Sequence, residues 1–346
     1  MISRTKVAVY GASGHTGQLV AEELVARGHE PLLVGRNHDA LERVARNLKG
    51  ACTIATAEVG DANSLHAVLE GAGVLINCAG PHGDTSFPLA LAAIDSGAHY
   101  LDTNAVEQLA AKRLFDDLSR AAVHAGVAVV PGMATFGGLG DLLASEVARD
   151  FSPVAAMTVA YSVDGWIPTR GSMVTASRTQ GAPRLKFQAG HFSEELEPAR
   201  IKAFDFGHPI GVRDVVENYP GVDVAMIPQH VLGDAMAVHM TLSTLQEFRA
   251  VDPAVAASTG AQARKMTDFA VLVEARHGSG IRRMIARGKD IYGFTATMMG
   301  TAIDLLTSGA PRAGVLSPAQ LFEADTFLEA LASQGLVLQN PTADSY

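Results

Sequence analysis

Cysteine is nearly absent: Cys52 and Cys78 are the only two in 346 residues. They form no CxxC and no zinc-ligand spacing. That excludes a disulfide scaffold and a cysteine metal centre, and it predicts a reduced, cytoplasmic setting with no metal. No apolar run reaches the length of a membrane span, since Gly, Pro or charge interrupts each one. The opening MISRTKVAVYGASG runs into an apolar strand without the core of a signal peptide. Repeats, low-complexity tracts and blocks of like charge are missing. With 18% charged residues and a net charge of −9, the chain has no general basic field for nucleic acid or anionic membrane. The 48% hydrophobic content fits a globular protein, and the length favours two domains.

The first third alternates strands and helices. KVAVYG (6–11), EPLLVGR (30–36), CTIATAEV (52–59), GVLINCAGP (73–81), HYLDT (99–103) and GVAVVPG (126–132) read as short buried strands. Helical patterns of about a dozen residues separate them, one with Asp61 as its N-cap. This order predicts a parallel sheet covered on both faces, a doubly wound dinucleotide-binding domain over residues 1–131.

Within it, VYGASGHTGQLV places Gly11, Gly14 and Gly17 between the first strand and the first helix. Gly11 suits a tight turn, Gly14 lets backbone approach a pyrophosphate, and Gly17 lets helix pack on strand. The helix start, with Ser13, His15 and Thr16, offers N–H groups to phosphate. A Gly-rich turn without a ligand fits the same letters. Where NAD-selective sites carry an acid, this chain has Gly35-Arg36-Asn37. Arg36 can stack on adenine and pair with a 2′-phosphate, with Ser13 and Asn37 adding hydrogen bonds; this favours NADP(H). A solvated Arg36 and dual cofactor use is the alternative.

These stretches, with Asn77-Cys78-Ala79-Gly80-Pro81, Tyr100-Leu101-Asp102 and a weaker match in GVLSPAQ (314–320), resemble the saccharopine dehydrogenase-like family of oxidoreductases. That group includes saccharopine reductases and proteins labelled trans-acting enoyl reductases. The resemblance implies NADP(H) as cofactor. It also implies a Rossmann domain followed by an α+β domain with a mixed or antiparallel sheet, and last helices that pack back on the first domain. Where relatives read Thr-Gly-Glu after the Tyr-Leu-Asp strand, this chain reads Thr-Asn-Ala-Val-Glu, with Glu107 further along.

The loop after the fourth strand lies where open α/β sheets bind ligands. Cys78, Ala79, Gly80 and Pro81 are expected along the nicotinamide ribose. His82 is either a proton relay or an exposed loop residue. Cys78 reads first as a small buried hydrophobe. Asp102 and Asn104 fall near the cofactor's reactive face, Asp102 as a proton relay or as a helix cap.

After PGMATFGGLGDLLASEVA (131–148) the pattern changes. Gly137, Gly138 and Gly140 suggest a flexible crossover. Strands are expected at 154–163, 183–189, 235–243, 269–278 and 281–288, the last two as a hairpin around Gly278-Ser279-Gly280. One helix is expected over 251–265 and another from Tyr292. The divisions are 132–300, a substrate and dimerisation domain, and 301–346, C-terminal helices. Trp166 and Arg170 suggest a pocket for a flat ring or carboxylate, or else a surface loop. Tyr161, Tyr219 and Tyr292 are candidate proton donors, Tyr161 foremost, with Tyr292 also fitting a structural anchor. The expected activity is NADPH-dependent reduction of a C=N bond in a small molecule by a homodimer. An enoyl C=C reductase is the alternative, and a non-catalytic NADPH sensor is the alternative of another class.

Overall fold

The computed structural model describes residues 5–151, 153–258 and 260–345. Met1–Arg4, Ser152, Thr259 and Tyr346 lie outside the described residues, Thr259 being part of the helix expected over 251–265. The first domain runs β1 (Lys6–Tyr10), α1 (His15–Ala26), β2 (Leu32–Gly35), α2 (His38–Asn47), β3 (Thr53–Thr56) and α3 (Ala62–Leu69). It continues β4 (Ala72–Asn77), α4 (His82–Asp95), β5 (His99–Asp102), α5 (Gln108–Ala125) and β6 (Ala128–Val130). All six expected strands are present. The Asp61 carboxylate accepts the Asn63 and Ser64 N–H groups at 3.1 and 3.3 Å, as its N-cap position requires.

The second domain runs α6 (Gly138–Ala148), β7 (Ala156–Asp164), α7 (Arg170–Thr179), β8 (Arg184–Gln188), β9 (His191–Glu195), β10 (Ile201–Asp205) and β11 (Val212–Val216). Then come α8 (Asp223–Met226), β12 (Ala235–Thr241), α9 (Leu242–Ala250), α10 (Pro253–Ser258), α11 (Ala261–Arg264), β13 (Asp268–His277) and β14 (Gly280–Lys289). The chain closes with α12 (Ile291–Ser308), β15 (Gly314–Val315), α13 (Pro318–Leu321), α14 (Ala324–Ala332) and β16 (Val337–Ser345).

The first sheet has the order β15-β6-β5-β4-β1-β2-β3, all parallel. Its order reverses between β1 and β4, which sets the ligand crevice at their carboxyl ends. Val7, Val9, Val74 and Ile76 are buried at the sheet centre. Each such side chain contributes roughly 1.5–3 kcal/mol by leaving water. The second sheet, β10-β11-β12-β7-β13-β14-β16, pairs β12 with β7 in parallel and its other neighbours antiparallel. The molecule is thus α/β, a doubly wound domain followed by a domain with a mixed sheet. The β13–β14 hairpin turns at Gly278 and Ser279, as expected.

Several details differ from the sequence reading. The helix expected over 251–265 is two short ones, with Gly260 between them. The division at 300/301 falls inside α12, and the last segment holds two strands besides helices. β15 extends the first sheet beside β6, and β16 extends the second beside β14. α12 packs on α1, where Arg27 Nη1 reaches Asp304 Oδ2 at 2.7 Å. The 137–140 crossover is not a loose hinge. A Cβ on Gly137 would stand 2.6 Å from Val222 Cγ2, and one on Gly140 2.3 Å from Asp223 Oδ1. Those glycines exist for close packing.

Candidate active site

At the end of β1 the chain turns sharply. Gly11 and Ala12 donate N–H to the Val34 carbonyl at 2.9 and 3.2 Å, and Gly14 N–H returns to the Gly11 carbonyl at 2.9 Å. Gly11 has φ +80°, and a Cβ there would lie 2.8 Å from Ala79 N. The turn therefore packs directly against the β4–α4 loop. A Cβ on Gly17 would come within 2.3 Å of the Gly11 carbonyl oxygen. Gly14 is the N-cap of α1 and brings no side-chain cap. An anion is favoured at such a helix start, the first turn of α1.

Arg36 follows β2 and is exposed, with no hydrogen bond or ion pair among the described residues. Asn37 caps α2, its Oδ1 accepting the Ala40 N–H at 2.9 Å, which leaves its amide NH2 for a ligand. Ser13 is exposed on the glycine turn. The glycine cradle and the free guanidinium fit a dinucleotide with a 2′-phosphate.

Behind the β4–α4 loop lies a buried polar network. Asn77 Oδ1 accepts the Ala79 N–H at 2.9 Å, and its amide donates to Thr85 Oγ1 and the Tyr100 hydroxyl at 3.1 and 3.0 Å. That fixes the loop through Ala79, Gly80 and Pro81 beside the glycine turn. Burial, with the charge of Asp102 added, pushes the Cys78 thiol up to about 12, so no thiolate forms near neutrality.

Asp102 is neither a relay nor a helix cap. Its Oδ2 accepts Ser86 Oγ and the Tyr100 hydroxyl, both at 2.9 Å, and its Oδ1 accepts Asn104 N–H at 3.0 Å and Gly132 N–H at 2.8 Å. A fully buried carboxyl group with four donors around it has no vacancy for a substrate. Its work is to lock the ends of β5 and β6 together. Asn104 is buried too, and both ends of its amide bind the Glu107 backbone, at 3.0 Å each. The expected substrate contact is thus taken by the chain itself.

His82 is not an exposed loop residue. It is 6% exposed and opens α4. Its Nδ1 lies 3.2 Å from Ser86 Oγ. Ser86 gives its proton to Asp102, so the ring donates through Nδ1–H. The backbone N–H groups of His82 and Gly83 are taken by the Glu107 carboxylate, the latter at 3.0 Å. Glu107 thus neutralises the α4 N-terminus, a role the sequence reading missed. The partners are separated by 25 residues, and no local pattern signals them.

Two other expectations are corrected. Tyr161 is completely buried; its hydroxyl donates to Asp223 Oδ1 at 2.6 Å and accepts the Gly137 N–H at 3.0 Å. Burial, reinforced by Asp223, holds its proton well above the usual tyrosine range. It is a core group, not a substrate donor. Trp166 is buried between Phe136 and Phe248, whereas Arg170 is exposed at the start of α7, so they do not form one pocket.

What closes over the crevice is α7. A Cβ on Gly80 would lie 3.4 Å from Thr175 Oγ1. Arg178 Nη2 reaches Asp84 Oδ1 on α4 at 3.1 Å. Behind α7, Tyr292 sets its ring edge-on to His15 of the glycine turn, with centroids 5.2 Å apart. Thr169, as N-cap of α7, accepts the Ser172 N–H at 3.1 Å. The Thr-x-x-Ser spacing was the available sequence signal for this helix. Among the described residues the one grouping of metal-ligand side chains is His38, Asp39 and Glu42, all exposed on α2.

A parallel sheet with a glycine turn at its switch point defines a dinucleotide-binding protein of the doubly wound class. More particularly, residues 7–130 of the chain match the family model "Saccharopine dehydrogenase NADP binding domain". NADP(H) is its cofactor. A lipid droplet localized protein of Caenorhabditis elegans is 31% identical over 140 residues, 37% of this chain and 33% of that one. A saccharopine dehydrogenase-like oxidoreductase of Homo sapiens is 29% identical over 117 residues, 29% of this chain and 27% of that one. The matched stretches therefore span a third or less of these curated relatives. Apo saccharopine dehydrogenase (L-Glu forming) from Saccharomyces cerevisiae superposes with a TM-score of 0.63 at 13% identity, over 99% of this chain and 100% of that one. The likeness extends the shared fold to the second domain.

Proposed function

We propose that the protein is an NADPH-dependent reductase that passes hydride to the C=N bond of a small organic substrate. The observation that carries this reading is the crevice itself. The NADP-binding turn, the β4–α4 loop and α7 of the second domain meet at one switch point. A reduced nicotinamide supplies hydride when bound; the protein orients the substrate and provides a proton. The names of the human relative and of the yeast structure support oxidoreductase chemistry, and saccharopine chemistry favours C=N over C=C. The enoyl alternative would use a donor to a carbonyl oxygen instead.

The test is NADPH oxidation with a panel of cyclic imines and, beside it, a panel of enones. Turnover of imines with formation of the amine supports the reading. Turnover of enones alone moves it to C=C reduction, and NADPH binding without either leaves a redox sensor. A homodimer in the cytoplasm belongs to the same proposal. No helix among the described residues is long and apolar enough to cross a membrane. One relative carries a lipid-droplet name, so cell fractionation is the check on location.

A further inference from the structure

The phenolic oxygen of Tyr292 receives two N–H donors, Trp166 Nε1–H and the Thr169 backbone N–H, each at 3.1 Å. Its third neighbour is Ser172 Oγ at 2.9 Å. Two donations occupy the lone pairs, so the phenol's own O–H must point at Ser172. Ser172 Oγ in turn lies 2.9 Å from Thr169 Oγ1. Tyr292 is 9% exposed, but Ser172 is only half-buried. A directed line of hydroxyls therefore runs from a buried phenol to a serine with an open side.

The position of that serine is set by its helix. Ser172 and Thr175 are one turn apart and share a face of α7. Thr175 stands over Gly80 at the end of β4, while Tyr292 touches His15 at the end of β1. Ser172 thus lies above the switch point between those strands. Tyr161 cannot reach this place because its proton is committed to Asp223 inside the core.

We propose that Ser172 is the proton donor of the reduction and that Tyr292 resupplies it. This rests on the reductase reading above. Substrate carbon takes a hydride, with both electrons, from the reduced dinucleotide. Substrate nitrogen takes the Ser172 hydroxyl proton, so C=N becomes HC–NH. The serine oxygen recovers a proton from Tyr292. The phenolate left behind is held by the Trp166 and Thr169 N–H groups until it takes a proton from water. Those two donors form the same kind of preorganised anion site that stabilises oxyanions in other enzymes.

The first test needs no turnover. In Ser172→Cys, alkylation of the new thiol by iodoacetamide is followed with and without saturating NADPH. The half-buried Cys52 is first replaced by serine, and Cys78, with its thiol pushed up to about 12, gives little background. Protection by about tenfold is expected, because access controls thiol reactivity. Equal rates in a protein that binds NADPH overturn the placement. The second test is turnover of an imine by Ser172→Ala and Tyr292→Phe. A fall of about a hundredfold in kcat is expected, with unchanged NADPH affinity and a larger solvent deuterium isotope effect. Ser172→Ala leaves both N–H donors paired, so it guards against a folding defect in Tyr292→Phe. Wild-type kcat in both variants, or the same loss appearing in His82→Gln and not in Ser172→Ala, overturns the relay. Wild-type protein that binds no NADPH contradicts the reductase reading rather than the relay.

Discussion

Asp223 is wholly buried, and burial pushes its carboxyl from the usual 3.8 up to about 7. Its Oδ1 takes the Tyr161 hydroxyl, while its Oδ2 has no hydrogen-bond partner among the described residues, so Oδ2 is where the proton sits. In the unfolded chain the same group ionises near its usual value. Between these two pH values the native state holds a proton that the unfolded state has lost. Stability must then fall as pH rises through that window, by about 1.4 kcal/mol per pH unit. Over the roughly three-unit window the sum is about 4 kcal/mol. Asp223→Asn removes the titration and keeps an acceptor for Tyr161. The amide adds a fixed offset, because its NH2 lacks an acceptor, but that offset does not vary with pH. The measurement is urea unfolding of both proteins at roughly pH 4 and pH 8. The stability of the variant relative to wild type should rise by about 4 kcal/mol between the two. All other titrating groups are common to both proteins and cancel. A relative change below about 1 kcal/mol would refute a protonated Asp223 in the core.

Gly17→Ala forces a Cβ to within 2.3 Å of the Gly11 carbonyl oxygen. It should cost about 1–3 kcal/mol by overpacking and weaken NADPH binding, read by unfolding and by titration. Arg36→Asp should weaken NADPH about tenfold or more while leaving or improving NADH, because one charge-assisted phosphate contact is lost. Glu107→Gln removes the charge at the α4 N-terminus, and thermal unfolding should show a loss of about 1 kcal/mol.

The first domain was legible because its information is local. Val-rich strands, the three glycines and the Asp61 cap each lie within a few residues of what they determine. The site was legible only in outline. Asp102 was placed at the correct strand end, but of its partners Ser86, Tyr100 and Gly132 only Tyr100 is local, two residues back on β5, while Ser86 and Gly132 arrive from α4 and from the turn after β6. Their donors convert an apparent relay into a structural tie between strand ends. Tyr292 meets Trp166 across 126 residues, a pairing that no periodicity carries. The strands β9, β10 and β11 were missed for a different reason. They are short and largely exposed, so they lack the buried alternation by which a strand is recognised. The smallest, β15, has two residues and exists only because β6 offers it an edge.

The central claim is that the glycine turn and Arg36 hold NADP(H) at the mouth of an interdomain crevice. Its most direct test is parallel titration of the protein with NADPH and NADH, followed by cofactor fluorescence and by emission from Trp166, the single tryptophan. Saturable NADPH binding at least about tenfold tighter than NADH is expected, the worth of one good charge-assisted contact. Equal affinity for the two would contradict the role of Arg36, and no binding of either would contradict the account as a whole.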